Sequence, residues 1–568
     1  MTSVCTSQMP AGAKARFIHI CRTGPICILA CCLASFAYAQ LSPTAPALLN
    51  SNATTDSGAD RSSQVATDGQ GHWVAVWQSE EDLGGVAGTD ADILVARSAN
   101  NGASWTAPAT LNSNATTDSG DDFDPAIATD SMGNWVVAWR SDENLGGVAG
   151  TDDDLFVARS TDDGATWTPP AFLNSDAATD SENDGSPGLT TDGLGHWVAV
   201  WRSNVGQGPG ETDADIFVAR SADNGANWSA PATLNTDAEG NDGADLFPQV
   251  ATDTLGHWIA VWVALKHFDG AKVPDPDLLV ASSGDNGVTW SDPTLLNTNA
   301  AADSGTDSFP QLAADGTGNW VVVWQSDEDL VDAGSTDQDI IVARSTNDGV
   351  SWTAPALLNS NAASDSGHDG APQITTDGFG NWIAVWWSEE DLGGEAGTDT
   401  DILAAYSTDN GATWTDPALL NSNGTSDTGP DLAPQITTNG LGNWIAVWES
   451  SEDLEDSGTD QDIFSTRFIH PRVTMDRPNG GQQIRQGRRA KIEWVLTGKS
   501  GNDVRIHLLR NDRKFRVIKK ATPNDGAFKW KVKPSRFPVG DEYKVRVTPL
   551  DFPIAKDSSD ETFSIVAP

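Results

Sequence analysis

A unit of 62 residues is repeated along most of this 568-residue chain, and the repetition limits the possible folds more than any other feature. The phrase Gly-His-Trp-Val-Ala-Val-Trp at 71–77 occurs seven times in closely similar form. Its first tryptophan lies at Trp73, Trp135, Trp197, Trp258, Trp320, Trp382 and Trp444. A second phrase, Ser-x-Asp/Asn-x-Gly-x-x-Trp, ends at Trp105, Trp167, Trp228, Trp290, Trp352 and Trp414. A fixed period of this kind indicates a repeat architecture, in which neighbouring copies bury each other's apolar faces.

Each repeat contains four short segments typical of β-strands, as in 372–375, 382–386, 402–405 and 418–420. The second of these alternates large and small apolar residues, which is typical of a strand buried in a sheet. Four-stranded units arranged radially form a β-propeller. The sequence therefore predicts an all-β fold with a seven-bladed propeller over residues 40–469.

The two ends of the repeat region predict how the ring closes. Residues 41–50 match the fourth-strand phrase at 352–359 but have no preceding strands of their own. The seventh unit has candidate strands near 435–437, 444–448 and 463–468 and then lacks its fourth. We expect the N-terminal segment to supply that strand and so to protect the edges of the first and last blades.

The segment 470–568 contains no copy of the repeat. Regular alternation at 490–494, 504–508 and 543–547, with turn residues between these runs, predicts an antiparallel Ig-like β-sandwich of about seven strands.

Residues 1–39 have the pattern of a secretory signal peptide. Basic residues precede an apolar run at 26–37, and Ala37-Tyr38-Ala39 provides a small-x-small cleavage sequence. All five cysteines lie within the first 32 residues, so cleavage leaves a chain without disulfides or thiols. We expect a secreted, extracellular or periplasmic protein. The alternative is a lipoprotein acylated at Cys31.

Charge excludes one class of partner. The segment 40–469 carries 69 acidic and 10 basic residues, whereas 470–568 carries 11 acidic and 21 basic residues. Nucleic-acid binding requires clustered Lys and Arg on the binding surface, so no nucleic-acid partner is expected for this strongly acidic chain. No later stretch is apolar enough for a transmembrane helix.

The segment Ser160-Thr-Asp-Asp-Gly-Ala-Thr-Trp167 resembles the Asp-box (BNR repeat) of sialidases, as do the copies that begin at Ser98, Ser221, Ser283, Ser345 and Ser407. The resemblance implies a propeller of the sialidase superfamily, although Asp-boxes also occur in secreted propellers that are not sialidases. The box residues have a structural explanation: the carboxylate caps turn amides, glycine adopts a positive φ, and tryptophan packs against the blade. The residues expected to be structural include Ser160, Asp162, Gly164, Trp167, Asp223, Gly225, Trp228, Asp285, Gly287, Trp290, Asp409, Gly411 and Trp414.

The C-terminal segment resembles the Ig-like domain of the yeast cell-wall-synthesis and Ser/Thr-rich surface-protein family. The resemblance covers about 90 residues and depends on 477–487, followed by Ile492-Glu493-Trp494. It implies an accessory, surface-associated module.

Catalytic sialidases resemble one another in an Arg-Ile-Pro stretch, three arginines that bind the sugar carboxylate, a Tyr–Glu nucleophile pair and an Asp acid/base. The sequence contains no Arg-Ile-Pro, and Tyr406 is the only tyrosine in 40–469. It occupies a third-strand position beside the Asp-box turn, which we expect to lie opposite the usual ligand face. This departure weakens the prediction of sialidase activity.

A half-ring of cations is the sharpest ligand-site prediction. We expect the loops that enter the first strand and leave the second strand to share one face. That face carries Arg61, Arg140, Arg202, Lys266, His267 and Lys272 in the first four blades and His368, beside Trp387, in the last three. Such a half-ring fits an anionic group such as a sugar carboxylate. The alternative is that these charges only offset nearby carboxylates.

Paired acidic residues such as Asp90 and Asp92 recur in the repeats. Structure or solvation is one interpretation, and Ca²⁺ ligation by the acidic loops is the other, since this cation takes several oxygen ligands. No cofactor is otherwise required.

The sequence favours an exported binding module for carbohydrate or another cell-surface ligand. The alternative is an exo-α-sialidase-type glycoside hydrolase with a diverged site.

Overall fold

The computed structural model describes residues 43–568 except 56–57, 89, 118, 149, 151, 180, 205–212, 236–242, 266–275, 300–304, 331–336, 363–366, 398, 427, 459, 470–471, 498–502, 512 and 551–555. The predicted signal peptide at 1–39 lies outside these residues.

Seven sheets of four antiparallel strands form the propeller, which confirms the all-β, seven-bladed prediction. Helical structure in the described residues is limited to the 3₁₀ turns Leu145–Gly147 and Leu454–Asp456.

Each blade contributes strands in the same order. The first strands are Asp60–Thr67, Asp122–Thr129, Asp184–Thr191, Asp245–Thr252, Ser308–Ala314, Asp369–Thr376 and Asp431–Thr438. The second strands are Trp73–Ser79, Trp135–Ser141, Trp197–Ser203, Trp258–Ala264, Trp320–Ser326, Trp382–Ser388 and Asn443–Ser450. The third strands are Asp92–Ser98, Asp154–Ser160, Asp215–Ser221, Asp277–Ser283, Asp339–Ser345, Asp401–Ser407 and Asp462–Ile469. The fourth strands are Ala109–Thr110, Ala171–Phe172, Ala232–Thr233, Thr294–Leu295, Ala356–Leu357, Ala418–Leu419 and, for the last blade, Ala47–Leu48.

The hydrophobic core lies between blades, and the alternation of the second strand explains why. Side chains of a strand point alternately to the two faces of its sheet. Val74 and Val76 therefore pack on Trp135 and Trp139 of the next blade, while Trp73 and Trp77 face the preceding blade. Each buried tryptophan removes about 150–250 Å² from water, so these layers supply much of the propeller's hydrophobic stabilisation.

The N-terminal segment closes the ring, as predicted. Ala47–Leu48 pairs antiparallel with the third strand of the last blade, in register with Ser465 and Phe464. Leu49 donates its backbone N–H to the Ile463 carbonyl at 2.7 Å and packs between that blade and the first. The first strands of successive blades are in contact around the whole ring, including those of the last and first blades.

The C-terminal segment forms a β-sandwich, as predicted, with nine strands in its described residues rather than about seven. The sandwich is not wholly antiparallel as predicted, because Gln483–Arg485 pairs parallel with Phe563–Val566. One sheet contains Arg472–Arg477, Arg489–Thr497 and Ala527–Lys531. The other contains Gln483–Arg485, Phe563–Val566, Gly540–Pro549, Asp503–Arg510 and Arg513–Pro523, with Asp557–Ser558 at its side. Its core is built on Trp494, Trp530, Tyr543 and Phe563, all at least 97% buried.

The Asp-box turns join each blade to the preceding blade. Asp162 Oδ1 accepts the Thr166 N–H at 2.9 Å, and this bond lowers the pKa of the carboxyl. Gly164 has a φ of 72° and lies against Val74 of the preceding blade, where a Cβ would be only 2.7 Å from a methyl group. The Asp-box turns at Asp223, Asp285 and Asp409 make the same hydrogen bonds.

Candidate functional site

The two ends of each blade carry different chemistry. In the first blade, Trp73 pairs with Ser98 at the Asp-box end, whereas Ser79 pairs with Asp92 at the opposite end. At that opposite end the incoming loop lies on the outgoing loop, because a Cβ on Gly58 would be 2.5 Å from the backbone of Glu80. The predicted sharing of one face by these two loops is therefore seen in the structure. We call this end of the propeller, where the first strands begin and the second strands end, the mouth.

Every first strand carries a β-bulge just inside the mouth. In the first blade, the register with the second strand shifts between Arg61 and Gln64, and Ser62 has a φ of 52°. The equivalent left-handed residues are Asp124, Ser186, Phe247, Phe309, Ala371 and Ala433, with φ from 46° to 53°. Positive φ is uncommon for residues other than glycine, and a bulge frees a backbone group from the ladder.

Side chains from the preceding blade bind the freed amides. The Asp124 N–H donates to Gln78 Oε1 at 3.2 Å, and the Ala371 N–H donates to Gln325 Oε1 at 2.9 Å. Both glutamines occupy the sixth position of a second strand, counted from its first tryptophan. That position is Gln78, Arg140, Arg202, Val263, Gln325, Trp387 and Glu449 around the ring. Where this position holds arginine, valine or tryptophan, its side chain cannot accept the hydrogen bond from the bulge amide. The mouth therefore departs from the repeat in those blades.

Two arginines from neighbouring blades converge on Gly185. A Cβ there would lie 3.5 Å from Arg140 Cδ and 3.7 Å from Arg202 Nε. Arg140 is neutralised, since its guanidinium contacts Asp124 at 3.1 Å and Asp153 at 3.0 Å. Arg202 is half-buried and forms no ion pair with the described residues. Of these two arginines, Arg202 therefore has the greater capacity to bind an anion.

The opposite part of the mouth is aromatic. The rings of Phe247 and Phe309 lie 4.5 Å apart across two blades, and Phe309 is 42% exposed. The half-buried indole of Trp387 lies directly on Gly370, where no side chain would fit. Partly exposed rings can form the apolar walls of a ligand pocket.

Glu449 provides an acidic side chain between the last and first blades. It accepts the Ser62 N–H at 3.1 Å. Burial raises the pKa of its carboxyl, which the Ser62 bond and the charge of Arg61 partly oppose. Arg61 itself is exposed and donates from Nε to the side chain of Gln461.

The structure brings together part of the predicted cationic half-ring. Arg140 and Arg202 lie side by side, and Arg61 lies at the junction between the last and first blades. Lys266, His267 and Lys272 lie outside the described residues. His368 accepts the Gln338 N–H at Nδ1. Sequence reasoning missed Phe247, Phe309 and Glu449. A signal was available for Glu449, because its position in the second strand varies more between blades than the neighbouring positions do.

Tyr406 lies at the Asp-box end, where it pairs with Ile383 in the second strand of its blade. It is 94% buried, and its hydroxyl donates to Asn381 Oδ1 at 3.1 Å. Burial raises the pKa of this phenol well above its usual range. At the same end, the turn residues His72, His196 and His257 each place Nδ1 at 2.7 Å from an aspartate of their own turn.

No helix in the described part of the chain is long and apolar enough to cross a membrane.

Residues 195–429 match the family model of the BNR repeat-like domain. This match confirms the prediction of Asp-box (BNR) repeats. It does not include residues 470–568, so the resemblance of the sandwich to the yeast surface-protein family stays a prediction. No curated protein sequence matches the chain.

Several solved propeller structures are similar to the chain at low identity. The Hadza microbial sialidase Hz136 is 17% identical, with 70% of this chain and 76% of that chain covered and a TM-score of 0.38. The NanB sialidase from Streptococcus pneumoniae is 10% identical, with 76% and 70% covered and a TM-score of 0.37. The α-L-arabinanase of Penicillium chrysogenum, complexed with arabinobiose, is 14% identical, with 66% and 99% covered and a TM-score of 0.40.

Proposed function

We propose that this chain is an exported binding protein whose propeller mouth holds an acidic carbohydrate. The observation that carries the proposal is Arg202, a half-buried guanidinium that forms no ion pair with the described residues of a strongly acidic propeller. A guanidinium can bind a carboxylate through two parallel hydrogen bonds. Arg202 would bind the acidic group of the sugar.

The aromatic residues would bind the rest of the sugar. Trp387 and Phe309 present partly exposed rings at the mouth, in blades other than that of Arg202. A sugar ring has apolar C–H faces, which suit contact with aromatic walls, while its acidic group suits the cation. This division predicts a preference for acidic over neutral sugars.

Isothermal titration calorimetry of the full chain with N-acetylneuraminic acid, galacturonic acid and galactose tests the proposal. At least one acidic sugar should bind and the neutral sugar should not. Arg202→Gln should weaken binding about 10- to 100-fold, because a hydrogen bond to a charged group is worth about 1.5–3 kcal/mol. Equal binding of all three sugars, or unchanged binding by Arg202→Gln, would contradict the proposal.

Arg344→Gln is the matched control. Arg344 is also a half-buried arginine of a blade, but it pairs with Val321 at the Asp-box end. Its substitution should leave sugar affinity unchanged. A similar loss of affinity in both variants would mean that removing any propeller arginine weakens binding nonspecifically.

Glu449 favours a second candidate function, that of a glycoside hydrolase of sialidase type. A partly buried carboxyl with a raised pKa has the property of a general acid in glycoside hydrolysis. The test is turnover of a fluorogenic sialoside and a fluorogenic arabinoside by the full chain. Turnover that Glu449→Gln abolishes would establish the hydrolase, whereas a binding protein turns over neither substrate.

Export is proposed from residues 1–39 alone. N-terminal sequencing of the protein recovered from the medium or cell envelope should find cleavage after Ala39. An intact N-terminus, or a lipid on Cys31, would contradict cleavage at that position.

A further inference from the structure

Between each blade and the next lies a repeated group of polar side chains, which we call the junction set. An Asp-x-Asp pair precedes or opens the third strand, an Asn-x-Asn or Asn-x-Asp pair follows the fourth strand, and one Asp opens the first strand of the next blade. The Asp-x-Asp pairs are 90/92, 152/154, 213/215, 275/277, 337/339, 399/401 and 460/462. The proposed sugar site uses none of these residues.

The first Asn of each junction set already uses its hydrogen-bonding capacity. Asn50 donates from Nδ2 to Asp462 Oδ1 and to Asp60 Oδ2, both at 2.7 Å. Its Oδ1 accepts the Ile463 N–H at 3.1 Å. The same pair of donated bonds recurs at Asn174, Asn235, Asn297, Asn359 and Asn421. One neutral amide thus lies between two buried carboxylates.

The Asp of the next blade has a partner on its far side in at least one junction. Trp324 donates its indole N–H to Asp307 Oδ1 at 3.0 Å. This Asp therefore faces a second-strand tryptophan.

Buried oxygens without a donor occur in the same places around the ring. Asp462 is fully buried, and the Oδ2 atoms of Asp462 and Asp460 are buried without a hydrogen-bond donor in the described part of the chain. Equivalent buried oxygens are Oδ2 of Asp152, Asp213 and Asp337 and Oδ1 of Asp176, Asn299 and Asn423. Leaving such groups without a partner in a low-dielectric interior is unfavourable, more so for a charged oxygen than for a neutral acceptor.

Charge makes the arrangement costlier. Neither Asp460 nor Asp462 forms an ion pair with the described residues. No cationic side chain among the described residues therefore offsets the charge of these two neighbouring carboxylates.

A main-chain oxygen lies on the same side. A Cβ on Gly397 would lie 2.7 Å from the Gly424 carbonyl oxygen and 3.3 Å from Asp399 Oδ1. In the first blade, a Cβ on Gly88 would lie 3.3 Å from the Ala115 carbonyl oxygen and 2.7 Å from Asp90 Oδ1. In these two junctions, the carbonyl oxygen of the residue after the second Asn and the first Asp of the pair therefore lie close to the same glycine.

We infer that each blade junction whose residues the structure describes binds one Ca²⁺ ion, through the Asp-x-Asp carboxylates, the second Asn or Asp, and the main-chain carbonyl that follows it. The donors are all hard oxygens, with no thiol or imidazole among them, and Ca²⁺ accepts six to eight such ligands in irregular loops. The ion joins the third and fourth strands of a blade. At the last junction it binds the N-terminal segment through Asn52 to Asp460 and Asp462, and so holds the ring closed.

Calcium binding by the full chain after treatment with EDTA tests the inference. Equilibrium dialysis with elemental analysis should find several Ca²⁺ per chain, up to seven, and differential scanning calorimetry should show a higher melting temperature with Ca²⁺ than with equal Mg²⁺. Asp337→Asn should lower the stoichiometry by about one. Absence of bound Ca²⁺ at millimolar concentration would overturn the inference.

The controls separate site loss from unfolding. Asp460→Asn removes a ligand at the closing junction, and if that variant does not fold, Asp337→Asn still reports on an internal junction. Asp416→Asn removes an exposed propeller carboxylate that bonds Ser360 and should bind as much Ca²⁺ as the unmodified chain. An equal loss of Ca²⁺ in Asp416→Asn and Asp337→Asn would show diffuse binding to an acidic surface and would overturn the inference.

Discussion

Glu449 accepts a hydrogen bond from the backbone N–H of Ser62 at 3.1 Å, across the junction where the last blade meets the first. Gln78 and Gln325 make the equivalent bond to the bulge amides of Asp124 and Ala371 at internal junctions. The bulge therefore requires an acceptor from the neighbouring blade at these places. At the junctions where the second-strand residue is arginine, valine or tryptophan, that position is available for other contacts.

Glu449→Leu should destabilise the propeller by about 1–3 kcal/mol, because the Ser62 amide loses its acceptor in a partly buried place. Urea denaturation of the full chain, monitored by tryptophan fluorescence, measures the change. Glu449→Gln keeps an oxygen acceptor and should stay within about 1 kcal/mol of the unmodified chain, the usual net value of one hydrogen bond. Equal destabilisation by Leu and Gln would mean that the carboxylate charge, rather than the bond, is what matters.

Gly164→Ala should be more destabilising than Gly146→Ala. Both glycines have positive φ, at 72° and 67°, so alanine costs roughly 1–2 kcal/mol at either position. Only at Gly164 does the added Cβ also meet Val74 of the preceding blade, and such overpacking costs about 1–3 kcal/mol more. The same denaturation assay compares the two variants. Equal losses would contradict the packing of the Asp-box turn on the neighbouring blade.

His257 should give the propeller a small pH-dependent stabilisation. Its Nδ1 lies 2.7 Å from Asp253, and this bond raises the pKa of the imidazole above its ordinary value of 6.5, with Asp348 adding to the rise. Because its folded-state pKa is raised, protonated His257 stabilises the fold fully at pH values below the unfolded-state pKa. This stabilisation is lost as the pH rises through the folded-state pKa. The side chain is 49% exposed, so screening keeps the effect small.

His257→Asn checks this prediction, since asparagine occupies the equivalent position in other blades, including Asn319 and Asn381. The stability difference between variant and unmodified chain, measured by denaturation, should be largest near pH 5.5 and shrink toward pH 8. A difference that does not vary with pH would show that the imidazole acts only as a neutral hydrogen-bonding group.

Tyr406→Phe should leave binding and any turnover at the mouth unchanged, because Tyr406 lies at the Asp-box end of its blade. Loss of the hydroxyl bond to Asn381 should cost about 0.5–1.5 kcal/mol of stability. Calorimetry with the sugars and thermal denaturation measure the two effects. Loss of turnover with retained stability would restore this tyrosine as a nucleophile candidate.

The sequence predicted the blades well because their determinants are local and periodic. The alternation of Trp73, Val74 and Ala75 defines two buried faces, and copying it at a fixed period sets the number of blades. The N-terminal strand was also predictable, since residues 41–50 carry the fourth-strand phrase without its partners. These features can be recognised in the sequence without knowing which residues are neighbours in the folded protein.

The mouth was predicted only in part because its chemistry depends on contacts between blades. Arg140 and Arg202 were found as departures from the repeat. The ion pairs of Arg140 with Asp124 and Asp153 were not predicted, because Asp124 contacts Arg140 from a β-bulge that no local sequence pattern marks. Phe247 and Phe309 are 62 residues apart in the chain and meet only when neighbouring blades bring their bulges together.

The most direct test of the central claim is a crystal structure of the full chain with the acidic sugar that binds best in calorimetry. We expect electron density at the mouth, with the acidic group on Arg202 and the sugar ring against Trp387 or Phe309. Density at the Asp-box end, or on the C-terminal sandwich with an empty mouth, would contradict it.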